Sequence, residues 1–175
     1  MSREDQKGRT DGIEKTLSNQ QAHARLGPVR KLVPDDFAIP AGVEHERFRL
    51  RMLSINDVVK DFDAICDRVD RDGTPKPPFV STVADNLVDL GWHQKEFELR
   101  RSFAYTVVAP DDSQVLGCVY IDPSETHDAH VWMWVRRAAW EEGLDPLVEA
   151  ALRDWLAREW PFQEVDWGHR ARPSA

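Results

Sequence analysis

The stretch from His130 to Trp160 constrains the fold more than any other part of the sequence. It begins with an apolar segment, 130–136, that is typical of a buried β-strand, and it passes through a short charged connection at 138–143 into an amphipathic helix. The first backbone N–H groups of a helix have no partner within the helix and lie at its positive end. A strand, a tight turn and a helix start are therefore a common place to bind a phosphate group.

The helix is predicted for residues 145–160, because apolar side chains recur along one face at helical spacing. Asp145 is the predicted N-cap, and Pro146 suits the first helical position. A short strand is predicted within 162–167. The strand–helix–strand order makes this strand parallel to 130–136 through a right-handed crossover.

Two further helices are predicted after a strand at 48–53. Ser54 is the expected cap of the first helix, whose apolar stripe extends to Val69. The second helix is predicted within 82–101, with Gly91 splitting it into two pieces. Its predicted apolar face consists of Val83, Leu87, Leu90 and Phe97.

An antiparallel meander is predicted to lead into the strand at 130–136. Two apolar segments, 103–109 and 115–121, flank a Pro-Asp-Asp-Ser turn. Gly117 lies inside the second segment and indicates a bulge or the close approach of another group. The sequence thus predicts an α/β (α+β) domain with a mixed, mostly antiparallel central sheet flanked by helices.

Composition narrows the functional classes. The chain has 31 acidic against 23 basic residues, a net charge of -8, which does not suit a general nucleic-acid binder. No apolar segment approaches the roughly 20 residues that a membrane span needs. Cys66 and Cys118 form no CxxC pair, and we expect both to be reduced core thiols of a cytoplasmic protein. No metal site is predicted.

The polar N-terminus predicts a domain division. Residues 1–27 are expected to be disordered and 28–44 to form an extended arm, so that 1–44 lie outside the main domain. The domain is predicted to cover 45–170, and 171–175 to be a tail.

The order of these elements resembles the Gcn5-related N-acetyltransferases over about residues 46–167. The resemblance implies an acyl-CoA N-acyltransferase-like fold and transfer of an acetyl group from acetyl-CoA to an amine of a small molecule or a protein. It implies that the backbone of Met133, Trp134 and Val135 binds the pantetheine arm between splayed strands. The family's pyrophosphate turn, R/Q-x-x-G-x-G/A, lies on Trp140–Asp145, where only Gly143 matches.

The departures from this turn carry charge. The resemblance places the pyrophosphate on the N–H groups of Gly143 and Leu144, yet Glu141 and Glu142 are acidic. Asp145 is expected to accept the N–H groups of the helix start, and Pro146 lacks one. We expect two arginines to offset this charge by binding the phosphates: Arg136 and Arg137.

The general base is expected near the splayed strands, and topology favours Asp122 and His130. A Tyr that acts as general acid in the family has no counterpart, because no Tyr follows Tyr120. Two functions stay open: an N-acetyltransferase, and a non-catalytic relative that binds a ligand or partner in the same cleft. The oligomeric state is also open, a homodimer included. The clustered Trp residues suit either the core or the wall of a ligand site.

Overall fold

The computed structural model describes residues 31–170, apart from the side chain of residue 169, and the predicted segments 1–27 and 171–175 lie outside this range. The strands are β1 (Gly42–His45), β2 (Phe48–Met52), β3 (Arg68–Val69), β4 (Phe103–Val108), β5 (Val115–Asp122), β6 (Ala129–Arg136) and β7 (Val165–Asp166). The helices are α1 (Val58–Cys66), α2 (Val83–Glu98), α3 (Arg137–Glu141) and α4 (Leu144–Glu159).

The strands form one seven-stranded sheet in the order β1-β2-β4-β5-β6-β3, with β7 also paired to β6. Every pairing is antiparallel except that of β6 with β7, which is parallel. The predicted mixed sheet and the parallel last strand are therefore confirmed. Because β5 lies on one edge of β6, β3 and β7 share the other edge.

Helices cover both faces of the sheet. On one face α4 packs through Val148, Leu152 and Trp155 against the odd-numbered side chains of β6. On the other face α1 and α2 bury Ile65 and Leu90 against the opposite side chains of β5 and β6. Among residues 31–170, no helix combines the length and apolar character that a membrane span requires.

The first helix begins as predicted but ends earlier. Ser54 caps a 3₁₀ turn by accepting a hydrogen bond from the Asn56 N–H, and α1 follows as far as Cys66. Val69 was predicted to belong to its apolar stripe, which is wrong. The chain becomes extended after α1, and Val69 is buried by pairing with β6.

The second helix is continuous through Gly91, so the predicted split is wrong. Its rotation also differs, since Val83 and Leu87 are 40% and 46% exposed. The side chain of Asn86 faces inwards instead, and donates to the carbonyl of Val58 and to the carboxylate of Asp61. This polar contact sets the buried face, which a search for apolar periodicity could not find.

The described part of the N-terminal arm packs on the domain and ends in β1. Val33 is buried, and the N–H of Leu32 donates to the carbonyl of Arg100 at 2.7 Å. The Tyr105 hydroxyl donates to the carbonyl of Pro40 at 2.7 Å. The arm thus supplies an edge strand, β1, to the sheet.

Gly117 fits the expectation of a close approach. A Cβ at this position would lie 2.1 Å from the backbone oxygen of Trp134 on β6. Gly117 is paired with Val135 in the sheet, so β5 and β6 come together where β6 approaches α3.

Replacing Gly117 with Ala should lower the free energy of unfolding by about 2–4 kcal/mol, because the new methyl group overlaps β6. Urea denaturation measures this loss. Gly91→Ala is the matched control, since its Cβ would meet only the Ile55 side chain at 4.0 Å. In the interior of α2 this control should stabilise by about 0.5–1 kcal/mol. Equal unfolding midpoints for the two variants would contradict the assignment.

Candidate active site

The parallel pairing of β6 with β7 is short. It joins Ala129 to Val165 and His130 to Asp166, the two residues of β7. Beyond His130 the pairing of β6 with β7 ends, and the chain passes into a short 3₁₀ helix, Gly168–Arg170, that stays beside β6. Among the described residues, the stretch of β6 that has no partner strand on this edge lies ahead of the turn that leads into α4.

The far end of the same edge is occupied by β3. Arg68 pairs with Arg136 and Val69 with Val135, and the N–H of Arg137 donates to the carbonyl of Asp67 at 2.8 Å. The prediction left the backbone of Val135 available to a ligand, and the structure corrects this. Met133 and Trp134 lie between the two neighbouring strands, β7 and β3.

The segment after β3 folds back on itself. The N–H of Asp70 donates to the carbonyl of Thr74 at 3.0 Å, and Val69 bridges to Pro75. Gly73 has a φ of 80° and lies against the indole of Trp140, where a Cβ would be 2.6 Å from the ring. The Trp140 Nε1–H also donates to the carbonyl of Arg71 at 3.0 Å. Trp140, in the position of the family's Arg or Gln, therefore holds this segment.

The two arginines predicted to bind phosphates are engaged elsewhere. Arg136 forms an ion pair with Asp63 at 3.0 Å, and its side chain is 16% exposed. Arg137 forms one with Asp67 at 3.4 Å. Both carboxylates belong to α1 and the residue that follows it, so these arginines fasten β6 to the α1 end of the sheet.

The connection between β6 and α4 contains the short helix α3 and ends at Gly143. Gly143 is in the left-handed conformation, with φ 74° and ψ 25°, and it is the N-cap of α4. Asp145 is therefore not the N-cap, and Pro146 is the third residue of the helix rather than the first. Among the described residues, a Cβ at Gly143 would meet no atom within 4 Å beyond its chain neighbours. The side-chain direction of Gly143 is thus unobstructed, while its N–H donates to the carbonyl of Trp140 at 2.8 Å.

Asp145 is buried and turned away from the helix start. Its two carboxylate oxygens accept from Arg170 at 2.8 and 2.6 Å, and Arg170 is 1% exposed. Arg170 also contacts Glu149 at 3.0 Å. The carboxylate of Asp145 is therefore neutralised inside the domain and does not compete for the N–H groups of α4, contrary to the prediction.

Arg47 is a cation of this turn that sequence reasoning missed. It lies in the connection between β1 and β2, and its guanidinium donates to the carbonyl of Glu142 at 3.0 Å. It also lies 3.8 Å from the carboxylate of Glu142. No local motif points to Arg47, because only the pairing of β1 with β2 brings this connection to the turn.

The candidate bases lie together where β6 meets β7. Asp122 and His130 are paired in the sheet, and Asp122 accepts from the Trp132 Nε1–H at 2.9 Å. His130 Nδ1 lies 2.9 Å from the carboxylate of Asp166. A hydrogen bond from the Gly168 N–H and the contact with His130 lower the pKa of Asp166. Asp166 is thus an ionised partner for the imidazole.

No group of three or more His, Cys, Asp and Glu side chains within the described residues could hold a metal ion. Cys118 is buried, as predicted, whereas Cys66 is exposed because it ends α1 on the outer side. Burial raises the pKa of the Cys118 thiol and that of the neighbouring Asp61, 3.4 Å away. This pair is a structural contact beneath β5.

The tryptophans divide between the core and the site. Trp155 of α4 and Trp160, which follows the helix, are buried against the sheet. Trp132 is half-buried, and its ring stacks on Tyr120 at 4.0 Å. Phe79 approaches the rings of Trp132 at 5.9 Å and Trp134 at 6.3 Å. An aromatic wall therefore lies on the α1–α2 face, beside the end of the β6–β7 pairing.

Comparison with known proteins places this architecture. No protein-family model and no curated protein matches the sequence. The structure is similar to that of a Vibrio cholerae protein assigned as a ribosomal-protein-serine acetyltransferase. The TM-score is 0.56 and the identity 14%, over 72% of this chain and 70% of the other.

Two other solved structures are similar at the same level. The ribosomal-protein-S5-alanine acetyltransferase from Vibrio fischeri has a TM-score of 0.53 and 17% identity, over 67% of each chain. The microcin C7 self-immunity acetyltransferase MccE, solved with acetyl-CoA and AMP, has a TM-score of 0.52 and 11% identity, over 66% of this chain and 67% of the other. The chain thus has the acyl-CoA N-acyltransferase fold of the Gcn5-related N-acetyltransferases, as the resemblance implied.

Replacing Arg170 with Ala should lower the free energy of unfolding by about 3–5 kcal/mol, because Asp145 would keep a buried charge without its partner. Chemical denaturation measures the loss. Arg158→Ala is the control, since Arg158 and Asp154 form a pair in which both side chains are more than 60% exposed. It should change stability by about 0.5 kcal/mol at most. Similar losses in both variants would refute the structural role of Arg170.

Proposed function

We propose that the protein transfers an acetyl group from acetyl-CoA to an amine. The observation that carries this proposal is the end of the β6–β7 pairing at His130, which leaves part of β6 without a partner strand ahead of the start of α4 at Gly143. A thioester on an extended arm, followed by a diphosphate, suits a strand edge that leads to a helix N-terminus. The fold supports the same chemistry.

The two ends of the cofactor site fit acetyl-CoA unequally. The Gly143 N–H already donates to the carbonyl of Trp140 at 2.8 Å, so the N–H groups that follow it, beginning with that of Leu144, would receive a diphosphate. The Asp145 carboxylate is neutralised by Arg170 and does not oppose it. Arg47 supplies a positive charge at the turn, beside Glu142. Along β6, Met133 would hold the pantetheine arm, whereas the carbonyl of Trp134 faces Gly117 on β5 and Val135 is paired with β3.

His130 is the proposed general base. An amine that attacks the thioester carbonyl must lose a proton as the CoA thiolate leaves. His130 stands on β6 at the point where the pairing with β7 ends, and Asp166 holds its ring. Asp122 is its neighbour across the sheet and orients Trp132. In this scheme Asp166 and Asp122 are positioning residues.

The acceptor is an amine of a protein or a small molecule. The aromatic wall of Tyr120, Trp132 and Phe79 offers a surface for an acceptor that enters from the α1–α2 side. Two of the similar structures are named for a serine and an alanine of ribosomal proteins. Peptides that begin with Ser or Ala are therefore the first acceptors to test, in a protein that we place in the cytoplasm.

A non-catalytic role is the second candidate, and β3 favours it. If β3 never leaves β6, the strand edge is closed and the acidic Glu141 and Glu142 leave the turn with little net attraction for phosphate. The cleft would then bind a partner or a different ligand.

A titration with CoA separates the two candidates. Binding at 100 times the dissociation constant should stabilise the protein by about 2.7 kcal/mol and raise its melting temperature. The half-buried Trp132 and Trp140 lie beside the proposed site, so tryptophan fluorescence should change as well. Pantetheine without the phosphates is the control and should bind more weakly. If millimolar CoA changes neither the melting temperature nor the fluorescence, the acetyltransferase function is excluded.

His130→Ala should lower kcat/KM by about 10²–10³-fold with little change in the KM for acetyl-CoA, because it removes only the proton acceptor. Steady-state rates over a range of acetyl-CoA and peptide concentrations separate kcat from the two KM values.

The control is His127→Ala. The ring of His127 is exposed and shares a hydrogen bond with the hydroxyl of its neighbour Thr126. This variant should retain the wild-type rate on peptides that begin with Ser or Ala. A wild-type kcat/KM in His130→Ala would move the base to another residue.

A further inference from the structure

We propose that the segment 67–77, which contains β3, competes with acetyl-CoA for the edge of β6, and that Trp140 is the latch that holds it there. The inference rests on the proposed acetyltransferase function and adds to it a closed state built into the chain. Acetyl-CoA would bind only after the segment has left.

The competition follows from the backbone. On one edge of a strand, each backbone N–H or carbonyl group pairs with a single neighbouring chain or ligand at a time. At the end of β6 nearest the turn these groups already face β3, through the Val69–Val135 pair and the bond from Arg137 N–H to Asp67 O at 2.8 Å. An extended pantetheine arm needs the same edge between β7 and the turn. Segment and cofactor therefore exclude each other.

The latch links the segment directly to the phosphate turn. Trp140 lies on α3, at the position in the turn where the family has a cation or an amide, and its Nε1–H donates to Arg71 O. The face of its indole covers Gly73, whose φ of 80° and lack of a Cβ allow the contact. Trp140 in place of the family's Arg or Gln thus removes a phosphate ligand and adds a contact that holds the segment on β6.

The grip is built to open locally. β3 has only two residues, and of these only Val69 is fully buried. Several further ties are at or near the surface: Asp67 with Arg137 at 3.4 Å, Asp70 with Lys76 at 2.7 Å, and Arg68, whose Nε donates to the Pro77 carbonyl at 3.0 Å and whose guanidinium lies over the Phe79 ring. Regions with few buried contacts open at low free energy, well below global unfolding. The segment can leave β6 while α1 and the sheet stay folded.

The expected consequence is a weakened apparent affinity. When only a fraction of the molecules is open, the observed dissociation constant is the intrinsic one divided by that fraction. A variant that disfavours the closed state should therefore bind CoA more tightly, which is the opposite of what loss of a cofactor ligand would do.

Gly73→Ala provides this variant without changing any residue of the cofactor turn. Its Cβ would lie 2.6 Å from the Trp140 ring and would place a side chain at a φ of 80°, so the segment seats only if the indole moves and the backbone is strained. We expect CoA to bind at least tenfold more tightly in calorimetry, and the Arg137 amide to exchange with solvent at least tenfold faster before CoA is added. Gly91→Ala, whose Cβ meets no atom closer than 4.0 Å, is the control and should behave as wild type.

Trp140→Ala tests the latch from its other side and should also speed exchange at Arg137. The double variant should gain no more than the larger single effect, because both changes break one contact. CoA added to the wild-type protein should itself speed exchange at Asp70, whose N–H bonds to Thr74 O within the folded segment.

The outcomes separate this inference from the function on which it rests. Equal CoA affinity in wild type and in an opened Gly73→Ala variant would overturn the competition while leaving the acetyltransferase intact. Unchanged Arg137 exchange in both Gly73→Ala and Trp140→Ala would overturn the latch. No CoA binding to any of the variants, with the segment shown to be open, would overturn both the competition and the proposed function.

Discussion

The free edge of β6 is the constraint on which the site depends. A strand edge offers one row of N–H and carbonyl groups, and each group needs a partner when it is buried. In this chain β7 takes the first residues of that edge and β3 takes the last. The short part of the edge around Met133 has no partner strand. A ligand can use more of the edge only when β3 is not paired with β6.

The charge that a ligand would meet at the turn depends on the ion-pair partners of the nearby residues, and not on how many charged residues the sequence places there. Asp145 is a carboxylate at a helix start, but Arg170 draws it into the core. Arg136 and Arg137 are adjacent to the turn, but Asp63 and Asp67 hold them at the end of α1. The electrostatic potential at Gly143 is therefore set by the helix itself, by Arg47 and by the exposed Glu141 and Glu142. These are not the charged residues that proximity in the sequence suggested.

Much of the fold was predictable because its signals are local. The strand at 130–136, the helix after Gly143 and the meander before them follow from apolar periodicity, and Gly117 followed from the rule for glycine within a strand. The errors have a common cause. The inward face of α2 is set by Asn86 bonding to Asp61, and the cap of α4 is displaced because Asp145 pairs with Arg170. Both are polar contacts between distant residues.

The sequence by itself determined the order of strands and helices, the parallel strand after the last helix, and the neighbourhood of Asp122 and His130. These are consequences of periodicity and of the short connections between elements. Only the tertiary structure decided that Asp166 partners His130, that Arg47 reaches the turn, and that β3 lies on β6 under Trp140. A strand of two residues such as β3 has almost no signal in the local sequence, since its stability comes from the strand with which it pairs and not from its own residues.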